Sequence, residues 1–179
     1  MNEHDTLTHL GVKYTYRAGK WVDDSYMIAC ESVQQLLNQK YYSSVDTTTM
    51  SIETLVAEAD KLKEGTSYDL AITMYEQASK TADQKTLAYI LPRLTSCYRK
   101  ANRPDKAIVL LTFANHKYGP SMVTPPLLTS AAAAYCDMDE YDKALACCKR
   151  AQAKMQGAVT SELKMVYNRI WSEYRRRHK

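Results

Sequence analysis

The side chains of this 179-residue chain best suited to metal binding or nucleophilic chemistry are five cysteines and four histidines. They are Cys30, Cys97, Cys136, Cys147 and Cys148, with His4, His9, His116 and His178. Their spacing supports neither chemistry. No C-x-x-C pair occurs, and the histidines do not supply ligand pairs at the helical or knuckle spacing a zinc site needs. His4-Asp5 with His9 is a loose cluster that reads as disordered rather than as a ligand set. The odd cysteine count fits small buried hydrophobes in a reducing compartment. Gly-rich phosphate loops, G-x-S-x-G and H-E-x-x-H are absent, and five glycines leave little room for nucleotide loops. The sequence predicts a protein that is not an enzyme and uses no cofactor and no metal.

What remains is charge. Lysine and arginine number 24 against 20 acidic residues, for a net charge of +4. Residues 1–159 are balanced at 18 each, and residues 160–179 hold six basic and two acidic side chains. The excess therefore sits at Arg175-Arg176-Arg177-His178-Lys179. Such a run suits a solvated helix end, whose dipole favours cations. It also suits contact with an acidic partner or nucleic acid. A protein that depends on phosphate contacts shows a broader basic face than this.

The elements that must carry these groups are visible as a repeat. Leu62, Ala71, Tyr75 and Ala78 are matched by Tyr98, Ala107, Leu111 and Ala114, and again by Tyr135, Ala144, Cys148 and Ala151. The internal gaps are nine, four and three residues in every copy, and the copies recur at 36 and 37 residues. A fixed period of this size marks stacked helical hairpins. The alanines sit where two helices cross, because a larger side chain would push the backbones apart, and the large residues fill around that crossing. Between the helices lie Lys100–Asp105 and Asp137–Asp142, whose Asn and Asp residues suit a left-handed turn; Pro104 suits a first helical position, and Asp105 and Asp142 can cap or favourably charge the helix that follows.

On these residues the chain resembles the tetratricopeptide repeat family, whose pattern is W-x2-L-G-x2-Y…A-x3-F…P. The match runs through Leu91-x2-Leu94-Thr95-x2-Tyr98…Ala107-x3-Leu111, and through Leu128-x2-Ala131-Ala132-x2-Tyr135…Ala144-x3-Cys148. The first copy, Leu55-x2-Glu58-Ala59-x2-Leu62…Ala71-x3-Tyr75, is looser. The family's Trp is Leu each time, its closing Pro is Asp83 or Gly119, and the period exceeds 34 residues by two or three. The resemblance implies an all-α, right-handed α-solenoid of three hairpins over about 52–85, 88–121 and 125–158. A C-terminal capping helix would occupy 160–179, with Leu163, Val166, Tyr167, Ile170, Trp171 and Tyr174 as one apolar stripe and Trp171 in the core.

Residues 1–50 lie outside the repeat. Val12-Lys13-Tyr14-Thr15-Tyr16, a turn at Arg17–Lys20 and Trp21-Val22 read as a β-hairpin over 12–22. A helix is expected over 24–40, capped by Asp23 or Asp24 and carrying Met27 and Ile28 on its apolar face, then a linker over 41–50. Ser51 is the expected N-cap of the first repeat helix. Pro92 falls inside or near the start of a repeat helix, which it should kink or begin. No apolar run approaches a membrane helix and the first residues are polar, so a cytoplasmic protein without a membrane partner is expected.

In the family, the first helices of successive repeats line a concave groove that takes peptides or partner helices. The resemblance places Asp60, Tyr89, Arg93, Ser96, Arg99, Lys100, Thr129 and Ser130 there. The lysines and asparagines with which the best-known members grip a chaperone's C-terminal carboxylate are replaced by Val56, Asp60, Pro92, Arg93, Thr129 and Ser130. That partner is not expected. The reading is a non-catalytic scaffold or adaptor binding a protein or peptide, with a basic centre suited to acidic or amphipathic segments. Two alternatives stay open: nucleic-acid or acidic-partner contact through Arg175, Arg176 and Arg177, and a homo-oligomer built through the N-terminal strands or the end helix.

Overall fold

Two tight turns build the N-terminal sheet. Leu10-Gly11 (φ 50° and 78°) and Ala18-Gly19 (φ 47° and 82°) place both residues at positive φ, as two-residue hairpin turns of type I′ require. The turns join β1 (Thr6–His9), β2 (Val12–Arg17) and β3 (Lys20–Asp23) into an antiparallel sheet with β2 in the middle. Thr6 pairs with Thr15, and Tyr16 with Trp21. The computed structural model describes residues 1–178, in two compact units that meet in sequence at Thr81 and Ala82. Among those residues it is mostly helical, with this one small sheet.

The first unit differs from the sequence expectation in three places. His4–His9 is ordered, since β1 pairs with β2 and the Lys40 ammonium lies 3.5 Å from His9 Nδ1. The first helix, α1, spans Glu31–Ser44 and begins seven residues after the expected start. Asp23 is the reason: its Oδ1 accepts from the backbone N–H groups of Ser25 and Met27, both at 2.9 Å, and holds them in a turn. Met27 and Ile28 are consequently exposed, and Ile28 bridges Val22. The helix then continues through the expected linker, because Tyr42 is buried and Tyr41 packs on Trp21 and Tyr42. Burial of two aromatic rings outweighs the weak helix propensity of this stretch. A 3-10 turn (Thr47–Thr49) follows, with Asp46 accepting from the Thr48 N–H at 2.9 Å.

Helices α2 (Ile52–Glu64) and α3 (Tyr68–Ser79) complete this unit. Ser51 caps α2 through the Thr54 N–H at 3.2 Å. Leu62, Ala71, Tyr75 and Ala78 are all buried. Trp21 is fully buried beneath the sheet with Tyr16 and Leu37. Its indole N–H donates to Asn38 Oδ1 at 2.8 Å, and Asn38 Nδ2 donates to Ser67 Oγ at 3.0 Å.

The second unit holds α4 (Gln84–Lys100), α5 (Pro104–Tyr118), α6 (Pro125–Asp137), α7 (Tyr141–Lys154) and α8 (Ser161–Arg177). Asp83, Thr124 and Thr160 cap α4, α6 and α8 by accepting from the N–H three residues on. Asn102 (φ 58°) and Asp139 (φ 63°) make the left-handed turns before α5 and α7. Asp105 and Asp142 lie in the first turns of those helices and charge them favourably, but the capping positions belong to Arg103 and Glu140, without a side-chain bond. Pro92 sits mid-way along α4 and is buried, so the Ala88 carbonyl receives no helical N–H from it. Helix α6 is buried from Leu127 to Ala134. It packs on α4, α5, α7 and α8, which is why its sequence is so rich in alanine.

Helix α8 packs on α6 and α7 but corrects the expectation that Trp171 lies in the core. Leu163 and Ile170 are buried, yet Tyr167, Trp171 and Tyr174 are 41%, 37% and 36% exposed. Their rings form a chain of edge-on contacts along the outside of the helix. Cys97, Cys136, Cys147 and Cys148 are buried as small hydrophobes, and burial pushes the Cys148 thiol up to about 11. Cys30 departs from this pattern, being exposed at the start of α1, and the Ser32 hydroxyl lowers its thiol below the usual range. Among the described residues no helix is long and apolar enough to cross a membrane.

Candidate interaction surface

The predicted groove residues fall into four groups. Asp60 belongs to the first unit, on α2, and accepts a hydrogen bond from the Tyr75 hydroxyl. Thr129 and Ser130 are corrected outright: they are only 3% and 8% exposed. Thr129 Oγ1 donates to the Pro125 carbonyl one turn back, at 3.0 Å. Both are enclosed because α6 has neighbours on every side, so they offer nothing to a ligand. Tyr89, Arg93, Ser96 and Lys100 recur at four-, three- and four-residue spacing and form one stripe along α4. Tyr89 and Lys100 are exposed, Arg93 and Ser96 half-buried. The Arg93 guanidinium lies 3.4 Å from the Tyr89 ring centre, and its Nη1 donates to the Tyr89 carbonyl at 3.1 Å. This is a flat cation–π platform set into the helix surface.

Arg99 is drawn away from that stripe. Its Nε donates to Asp137 Oδ2 at 2.6 Å and its Nη2 to Asp137 Oδ1 at 3.4 Å. Asp137, at the end of α6, also accepts from Arg169 Nη2 of α8 at 2.6 Å. Burial works against the charge on Arg169, but the bond to Asp137 outweighs it and holds its pKa above the ordinary arginine value. One carboxylate thus joins three helices. Lys100 and Asp137 stand 37 residues apart, the same interval as Ala107 and Ala144, and carry opposite charges.

The C-terminal arginines are engaged rather than splayed into solvent. Arg176 pairs with Glu173 at 2.6 Å, Arg177 with Asp139 at 2.7 Å, and Arg175 Nε donates to the Trp171 carbonyl at 3.2 Å. The result is a polar cavity of about 320 Å³ among the ends of α4 and α6, the start of α5 and the second half of α8. A second cavity of about 530 Å³ shares Asp139 and Arg177 with it and is lined by Tyr141, Tyr174 and His178. Sequence reasoning missed Asp137, Asp139, Arg169 and Glu173. Part of the signal was present, since Arg169, Glu173, Arg176 and Arg177 share one helical face by their spacing. No family model, no curated protein and no solved structure matches this chain.

Proposed function

We propose that α2–α3, α4–α5 and α6–α7 are three tetratricopeptide-like hairpins of a right-handed solenoid, and that the chain is a non-catalytic cytoplasmic adaptor holding an acidic or amphipathic protein segment. One observation carries the reading. Thr66, Asn102 and Asp139 all adopt positive φ, and each stands five residues ahead of a fully buried alanine, Ala71, Ala107 and Ala144. The same turn followed by the same crossing is a structural repeat, and repeat proteins use the surfaces of their stacked first helices for binding. On α4 that surface is the stripe of Tyr89, Arg93, Ser96 and Lys100, basic at its centre and end. A planar guanidinium stacked on a tyrosine, with a lysine beyond it, suits carboxylate-bearing segments. Arg99 contributes through Asp137 rather than by direct contact.

The test is capture with the tagged full chain from nuclease-treated lysate of the source cells, beside an Arg93→Glu/Lys100→Glu variant of unchanged helical content. The captured protein's acidic segment is then synthesised and titrated against both. Retention by the wild type, at least tenfold weaker binding by the variant and a moderate salt dependence are expected. A steep salt slope together with recovery of nucleic acid from untreated lysate would move the contact to a phosphate backbone. Equal binding by both proteins would remove α4 from the interface.

A further inference from the structure

We propose that the arginine-lined cavity between α4, α6 and α8 is an oxyanion site, which takes the phosphate of a phosphorylated side chain on a protein partner. Its walls bring together four guanidinium groups, Arg99, Arg169, Arg176 and Arg177, with three carboxylates, Asp137, Asp139 and Glu173. The ion pairs leave this set one positive charge in excess. The excess is concentrated at Asp137, which serves both Arg99 and Arg169. The Arg99 and Asp137 side chains are only 16% and 21% exposed, so this pair is weakly screened by water, while Arg169, 42% exposed, turns part of its guanidinium toward the open side of the cavity.

The donors are also there in number. A guanidinium carries five N–H groups. The bonds described above engage two on Arg99 and one each on Arg169, Arg176 and Arg177. A fork of planar donors matches the tetrahedral oxygens of phosphate, and hydrogen bonds between ions are about twice as strong as neutral ones. The cavity, at about 320 Å³, has far more room than the roughly 10–15 Å³ one water needs. Its walls are polar, whereas the adjoining cavity beyond the Asp139–Arg177 pair presents Tyr141 and Tyr174 to whatever carries the anion.

A single phosphate, and not a nucleic-acid backbone, fits the charge distribution. Residues 1–159 carry equal numbers of basic and acidic side chains, so the net positive charge comes from residues 160–179 and not from the broad basic composition that tracking many phosphates requires. A phosphomonoester brings close to two negative charges at neutral pH and three acceptor oxygens to one point. The identity of the carrier as a protein rests on the adaptor reading above; the oxyanion site itself does not.

The experiment is calorimetric titration of the full chain with inorganic phosphate at constant ionic strength, with chloride as the reference salt, then with a phosphoserine peptide and its unphosphorylated twin. Saturable phosphate binding is expected. Arg176→Gln, whose partner Glu173 is one helical turn away on the surface, should weaken it about tenfold, the effect of one lost charged hydrogen bond. Arg175→Gln, outside the cavity, should change it less than twofold. Glu173→Gln should tighten it severalfold by enlarging the cationic excess, a gain that damage to the fold does not produce. Phosphate that binds no better than chloride, or a Glu173→Gln variant that does not bind more tightly, would overturn the site. Phosphate binding that responds to these variants, without discrimination between the two peptides, would keep the site and overturn the phosphoprotein carrier.

Discussion

The two units of this protein satisfy their buried polar groups in opposite ways. In the second unit Thr95 and Thr129 are buried, and each hydroxyl bonds to the carbonyl four residues back in its own helix, Leu91 and Pro125. Nothing polar at these positions links one helix to another, and the helices approach through Ala107, Ala114, Ala131, Ala132, Ala144 and Ala151. In the first unit Asn38, Glu58 and Ser67 are buried and reach across elements. Asn38 ties Trp21 of β3 to Ser67 before α3, and Glu58 of α2 accepts from the Tyr42 hydroxyl of α1 and the Lys61 ammonium, and lies 3.1 Å from the Met1 amino group. Alanine crossings align these helices along their buried faces, and the polar links between them, Arg99 and Arg169 to Asp137, lie at the helix ends. The short sheet and α1 of the first unit have no such periodicity, and directional bonds fix their register instead.

The sharpest break of this contrast is steric. Ala144 is fully buried where α7 crosses α6. Ala144→Trp should overpack that crossing and cost about 3 kcal/mol, the upper end of such insertions, read by urea denaturation. The same change at Ala107, fully buried on α5 where it packs against α4, should cost a similar amount. If both variants unfold with the wild-type midpoint, the alanines do not set the helix spacing.

These alanines were legible in the sequence because a helix crossing demands a small residue at a fixed interval, whatever surrounds it. Ser51 as a cap, the β2–β3 turn and the span of α8 were legible for the same reason, each being a local requirement. The rest depended on partners distant in sequence. Thr6–His9 has no apolar alternation and becomes a strand only by pairing with β2. Met27 and Ile28 mimic a helix face, but Asp23 captures the backbone first. Thr129 and Ser130 were expected to face a ligand from the resemblance alone, and they are buried because α6 is surrounded. Asp137 looked like an ordinary helix end, and only folding brings Arg99 and Arg169 onto it.

The polar side of the contrast breaks at Asn38. Asn38→Ala removes the acceptor of the buried Trp21 indole N–H and the donor to Ser67, and should cost about 2 kcal/mol, with a rise in Trp21 fluorescence change on unfolding as the check on local packing. Glu58 adds a dependence on pH. Burial alone would raise its pKa, but hydrogen bonds from Tyr42, Lys61 and the Met1 amino group outweigh that and hold it below the usual glutamate range. A carboxylate with a depressed folded pKa adds stability above its unfolded value, near 4.3, and loses it as pH falls through the folded value. Glu58→Gln should therefore cost about 1.5 kcal/mol at pH 7 and give a flatter loss of stability below about pH 4.3. Parallel curves for the two proteins in acid would show that Glu58 carries none of the acid sensitivity.

The smallest effect tests where the two strategies meet. The turns before α3, α5 and α7 each hold a left-handed residue, and two have Asn102 and Asp139, whose short polar side chains tolerate it. The first has Thr66 at φ 61°, a β-branched residue for which that conformation is strained. Thr66 compensates with a bond to α1: its Oγ1 donates to Glu31 at 2.8 Å, another cross-element link of the first unit. Thr66→Asn should relieve strain worth about 1 kcal/mol and lose an exposed hydrogen bond worth about half of that, for a net gain of about 0.5 kcal/mol. The reverse change, Asn102→Thr, has no such bond to gain and should cost about 1 kcal/mol. A gain at 66 with a loss at 102 would mark the turn as the same device in both units. If Thr66→Asn destabilises while Asn102→Thr is neutral, the link to Glu31 outweighs the strain at Thr66 and holds the α2–α3 hairpin to α1.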